Sequence, residues 1–103
     1  MLVTTIDILP NRSYEVLGIV RGNISFTKNI GRDIMASARN LVGGEVKSYT
    51  LMTNEARQSA EDRMVEAARS LGADAVVGVR FASESVSAGI TDVLAYGTAV
   101  KLR

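Results

Sequence analysis

Cysteine, histidine and tryptophan are all absent from this chain of 103 residues. Without cysteine no disulfide forms, so nothing marks a secreted, cross-linked fold. Without thiolate or imidazole the usual soft-metal sites are excluded, and neither a Ser-His-Asp nor a Cys-His arrangement can be assembled within the chain. Charge of one sign is lacking too. Twelve basic side chains stand against 11 acidic ones, for a net charge of +1. That balance argues against a dedicated nucleic-acid binder and leaves self-association unopposed by repulsion. No apolar run approaches the roughly 18 residues that span a bilayer, so no membrane role is expected. Residues 1–15 lack a basic segment followed by a long apolar one, so they do not read as a signal peptide. A cytoplasmic location is the expectation. No Walker loop and no G-x-G-x-x-G fingerprint occurs, so nucleotide binding has no motif.

What is present suits one domain over residues 1–103. Hydrophobic residues make up 47% and charged residues 22%, enough for a core under a polar surface. Leu2-Val3-Thr4-Thr5-Ile6 is a short β-prone piece, closed by turn chemistry at Pro10-Asn11-Arg12-Ser13. So short a strand is expected to join the edge of another sheet, that of a neighbouring subunit being one option. Residues 14–22 alternate as a strand, with Tyr14, Val16, Gly18 and Val20 on one face and Glu15, Leu17, Ile19 and Arg21 on the other. Both faces are substantially apolar, so both need cover.

From 30 to 42 the period becomes helical, through Ile30, Ile34, Ala38 and Leu41, and Gly43-Gly44 stands where a C-cap belongs. A longer helix is expected from Tyr49 to Leu71, with Tyr49, Met52, Ala56, Ala60, Met64, Ala67 or Ala68, and Leu71 as its apolar stripe. Its many alanines allow a close approach to whatever it packs on. Arg57 with Glu61, and Glu66 with Arg69, are spaced to pair on its outer side, and Gly72 is a second cap. Residues 75–82 make the strongest strand, residues 83–88 a polar connection around Gly89, and residues 92–102 the closing strand of an antiparallel hairpin. The predicted order is β-β-α-α-β-β. This is an α+β, two-layer α/β sandwich, with an antiparallel three-stranded sheet plus the short N-terminal strand. Such a sheet leaves edges and one face open, which pairing between subunits would close. Subunit packing would also account for Gly18, Gly78 and Gly97 inside the strands.

Several stretches resemble the YbjQ family. They are Asn29-Ile30-Gly31-Arg32-Asp33, the helix ending Arg39 with Val42-Gly43-Gly44, Tyr49 at the next helix start, the run from Ala68-Arg69 through Leu71-Gly72-Ala73-Asp74-Ala75-Val76-Val77-Gly78-Val79-Arg80-Phe81, and Gly97-Thr98-Ala99-Val100-Lys101. The resemblance covers nearly the whole chain in order. It implies a dodecin-like fold in a homopentameric ring, in a family labelled as heavy-metal-binding. The composition gives that label little support, because Met35, Met52 and Met64 fall on helix stripes, where methionine fills cores.

Arg32, Asp33, Arg39 and Tyr49 are the candidate interface or anion-binding residues. Two guanidiniums on one helix face suit a phosphate or carboxylate, and an inter-subunit ion pair is the simpler role. Asp7, Glu15, Asp33, Glu45, Asp74, Glu84 and Asp92 are scattered and lack the spacing of a calcium loop. Glu84 and Asp92 are expected near the hairpin tip, and Asp74 in a turn, bonded to nearby backbone amides. Tyr14, Tyr49 and Tyr96 offer hydroxyls. No catalytic constellation and no cofactor follow from these residues. A non-enzymatic binding or scaffold oligomer, holding a small ligand or ion between subunits, is the leading reading. A metal-handling protein restricted to oxygen ligands, an enzyme with a site shared between subunits, and flavin binding by analogy with dodecins are the competing ones.

Overall fold

The computed structural model describes residues 1–27, 45–87 and 89–103. The helix expected over 30–42, its Gly43-Gly44 cap and the side chain of Tyr49 lie outside the described residues. The elements are β1 (Leu2–Val3), β2 (Tyr14–Thr27), α1 (Glu45–Ser70), β3 (Ala75–Ser87) and β4 (Ile90–Leu102). The strands form a single sheet in the order β1-β3-β4-β2. Both β2 and β3 run antiparallel to β4, whereas β1 runs parallel to β3, Leu2 beside Ala75 and Val3 beside Val76. The three long strands form the expected antiparallel set, and the short first strand adds to its edge in parallel, so the sheet is mixed and four-stranded. The short first strand finds its edge within its own chain. It continues past its last residue through Thr4 N–H to Val76 O (3.0 Å), Val79 N–H to Thr4 O (3.1 Å) and Gly78 N–H to Ile6 O (2.7 Å).

Residues 83–87, expected as a polar connection, extend β3 instead, pairing from Ser83 with Val93 to Ser87 with Ile90. The hairpin ladder satisfies the backbone whatever the side chains are, and here they are all exposed, so serine and glutamate cost little. Both β2 and β4 likewise run to the same end of the sheet, giving a long, narrow body of 50 × 27 × 19 Å.

Helix α1 lies across β2 and β4. Its buried stripe is Ala56, Ala60, Met64 and Ala68, packed on Val20, Val76, Val79, Val93, Ala95 and Ala99. Leu71, expected to extend that stripe, is 49% exposed, because the helix stops just before it. Gly72 has φ +80°. The Ala73 N–H bonds Ala68 O at 3.1 Å and the Gly72 N–H bonds Arg69 O at 2.9 Å, which is a Schellman ending. The alanines bring the helix backbone down onto Gly22 of β2. A Cβ at Gly22 would overlap Met64 N and Ala60 O and come within 2.7 Å of the Arg63 carbonyl carbon.

The other strand glycines also have local explanations inside one chain. Gly18 and Gly78 stand at irregularities of the ladders, between Val16 and Gly18 in β2 and between Val77 and Arg80 in β3. Gly97 lies under Val76 and Val77.

The seat at Gly22 is directly testable. Gly22→Ala is expected to cost about 3 kcal/mol or more, because the clash is with helix backbone that cannot rotate away. Equilibrium denaturation would measure it, and a neutral Gly22→Ala variant would show that α1 does not rest on β2 at this point.

Candidate functional site

The ladder irregularity in β2 decides what the second sheet face presents. Val16 pairs with Val100, but Gly18 pairs with Ala99, so Leu17 is the extra residue and the alternation changes phase. Beyond it, Val20 and Gly22 face the helix, while Ile19 and Arg21 share the open face with Tyr14 and Val16. The strict alternation read from the sequence, which set Ile19 and Arg21 against Tyr14 and Val16, is corrected by this bulge.

One end of the open face is covered by the chain's own N-terminal segment. Leu9 is buried against Ala75, Val77 and Val100, with Tyr14 and Leu102 packed beside them. Arg80 fastens the segment, donating from Nη1 to Thr5 O at 2.9 Å and pairing with Asp7 Oδ1 at 3.5 Å. Among the described residues nothing else covers this face. Val16 is 63% exposed, Ile19 70% and Tyr96 40%. Ile19, Arg21, Leu94 and Tyr96 line a shallow cavity of about 230 Å³. An aliphatic floor beside a guanidinium and a phenol can hold an apolar surface that carries a negative group.

Further along the same face, Asp92 accepts hydrogen bonds on Oδ1 from Asn23 Nδ2 (3.1 Å) and Ser25 Oγ (2.9 Å). Glu84 sits directly across the hairpin from Asp92. These two carboxylates are paired across strands close to the Gly89 turn, with Glu84 exposed. Among the described residues no group of three acidic side chains converges as metal ligands would.

The remaining candidates take structural places. Asp74 accepts the Leu102 N–H at 2.9 Å and lies 3.7 Å from Lys101 Nζ. It ties the start of β3 to the end of β4 across the sheet, where bonds to neighbouring turn amides were expected. Met64 is fully buried and Met52 is half-buried. Glu66 and Arg69 pair at 3.4 Å. Arg32, Asp33 and Arg39, with Met35, lie outside the described residues, and Tyr49 is placed only by its backbone in the first turns of α1. Nothing in the local spacing marks Gly22 or Arg21 as special. The glycine inside the strand, Gly18, was the available signal for the phase change.

A small α+β protein with one covered and one largely open sheet face is thus defined. The family model described as "Putative heavy-metal-binding" matches residues 1–103, and the chain belongs to this YbjQ family. The UPF0145 protein of Thermotoga maritima is 50% identical over 103 residues, covering 99% of this chain and 97% of its own length. That of Vibrio campbellii is 50% identical, with 99% of each covered, and that of Archaeoglobus fulgidus is 48% identical over 104 residues. Among solved structures, a protein of unknown function from Pediococcus pentosaceus, of the DUF74 family, superposes with a TM-score of 0.72 at 21% identity. It covers 100% of this chain and 98% of its own, which shows a common fold.

The Arg80 clamp yields a prediction. Arg80→Ala removes a charged donor that is about half exposed, and is expected to lower stability by about 1 kcal/mol. The loss should be local first, so amide exchange at Gly78 and Val79, which bond the N-terminal segment, is expected to quicken about fivefold. Unchanged exchange there would mean that Arg80 does not hold the segment.

Proposed function

We propose that this protein is a self-associating, non-enzymatic binding or scaffold protein of the cytoplasm, and that its copies close a dodecin-like homopentameric ring. One observation carries the reading. The stripe formed by Val16, Ile19, Leu94 and Tyr96 leaves large apolar side chains in water, up to 70% exposed, on a sheet face that the chain's own N-terminal segment covers only at one end. Contiguous apolar surface of this kind on a small domain marks an interaction site. Near-zero net charge leaves like copies free to meet. In such an assembly, the cavity beside Arg21 and Tyr96 becomes a cleft between subunits, a favoured place for a small ligand.

The family's description supplies the competing reading, a metal-binding protein. The described residues do not fit a heavy metal. Thiolate and imidazole are absent, and the oxygen donors Asp7, Asp74 and Asp92 already hold Arg80, the Leu102 amide, and Asn23 with Ser25. Oxygen donors also favour hard ions.

Native mass spectrometry of gently purified protein tests the proposal. A pentameric mass is expected, and a monomer across micromolar concentrations would overturn it. Melting in the presence of zinc, copper, calcium or manganese is expected to be unchanged. A saturable rise in melting temperature with one of them would establish binding to the native state and favour the metal reading.

A further inference from the structure

Among the described residues the sheet has two unpaired edges. In the order β1-β3-β4-β2, β2 is an edge along its length. The far half of β3 is an edge as well, because β1 and the segment after it bond β3 only as far as Val79. From this we propose that in the self-association just described, on which this inference rests, the Gly18–Gly22 stretch of β2 in one copy pairs with the Phe81–Ser85 stretch of β3 in the next. The occupant of each edge is a second copy of this chain.

Topology gives the orientation. Both β2 and β3 are antiparallel to β4, so they run the same way. The two edges lie on opposite sides of the sheet, so the contact is head-to-tail, every copy offering both halves, as a closed ring requires. Between its irregularities each edge has a regular run. That of β2 begins at Gly18, after the shift from Val16, and that of β3 ends at Ser85, before the shift to Ser87. Neither run contains proline or lysine, the common guards of a free edge. Beyond them, Asn23 O is already taken by Arg63 Nη1 at 2.7 Å, which limits the junction to the stretch before it.

The side chains select one register. With Arg21 beside Glu84 of the next copy, Ile19 lies beside Ala82 on the open face, and Phe81 lies beside Gly18 on the helix face. Arg21 has no carboxylate partner among the described residues. Glu84 faces Asp92, a like charge, whose donors Asn23 and Ser25 serve Asp92 alone. Like charges opposed across a sheet are destabilising, and a guanidinium from the neighbouring copy relieves this. Phe81, 43% exposed, gains a neighbour whose lack of side chain leaves room for its ring.

The absence of native cysteine makes the test clean. Within one chain Arg21 and Glu84 are separated by β4, so their strands stand about 10 Å apart, beyond the roughly 7 Å that a disulfide tolerates. Arg21→Cys with Glu84→Cys, oxidised in the full-length protein, is therefore expected to give a ladder of covalent multimers up to the size of the ring, while each single variant stays unlinked. Arg21→Glu or Glu84→Arg alone is expected to raise the concentration at which the assembly dissociates by about tenfold or more, and the exchanged pair to restore it. Multimers by native mass spectrometry without the ladder would overturn this junction and leave self-association standing. Dimers from either single cysteine variant would point to a two-fold contact and overturn it as well. A monomeric native protein would remove both inferences together.

Discussion

The contact between the α1 backbone and Gly22 governs the rest of the structure. Main chain meets main chain there, with no side chain in between, and the neighbouring alanines keep the helix axis low over the sheet. Ala56, Ala60 and Ala68 offer little apolar area each. Close approach compensates, since dispersion falls off steeply with distance. Met64 fills what irregular space remains, as an unbranched thioether does well. One face of the sheet is thereby closed with small residues. Val16, Ile19, Leu94 and Tyr96 stand on the other face.

That asymmetry explains why the second face matters. Among the described residues one helix covers one side, and the N-terminal segment, held through Leu9 and the Arg80 clamp, reaches only the end where β3 begins and β4 finishes. The two coverings differ in kind. The helix is locked by its seat and its Schellman ending. The segment is held by one buried leucine, a few main-chain bonds and a half-exposed arginine. On the open face, the sheet end beyond the segment keeps strand pairing with little burial, and the edges and the apolar stripe occupy the same region. Edge pairing there would satisfy the exposed main chain, and the apolar stripe lies beside the same junction.

Much of this was legible in the sequence. The strand positions, the long helix with its alanine stripe, the Gly72 ending, the hairpin and the family itself could all be read from spacing, caps and blocks of residues. What could not be read has a common physical origin in register. A strand's side-chain period carries its faces only while pairing is regular, and the extra residue at Leu17 changes the phase for everything after it. Ile19 and Arg21 therefore changed faces. The polar run 83–87 reads as a connection by composition, yet a ladder already started by Val76 and Val77 extends through it. Gly22 reads as the end of a strand, and only the position of a helix far away in sequence shows why no side chain fits there. The first-helix candidates Arg32, Asp33 and Arg39 fall outside the described residues, so their spacing alone still speaks for them.

The family's description and the residues of this chain can be set against each other through the carboxylates. A metal site needs several donors free to converge. Here three aspartates are occupied in holding the sheet: Asp7 with Arg80 at the N-terminal segment, Asp74 with the last residue of β4, and Asp92 with Asn23 and Ser25 across the sheet. Redirecting any of them to an ion would release a contact that positions a strand. Glu84, by contrast, stands on an edge strand with an unfavourable neighbour, Asp92. A lone carboxylate on a free edge is better suited to an arginine than to a cation, because a bidentate guanidinium contact needs only one carboxylate. Arg21, on the opposite edge of the same sheet, is the matching group, and the charge pattern of the two edges thus argues for a second copy of the chain over a bound ion.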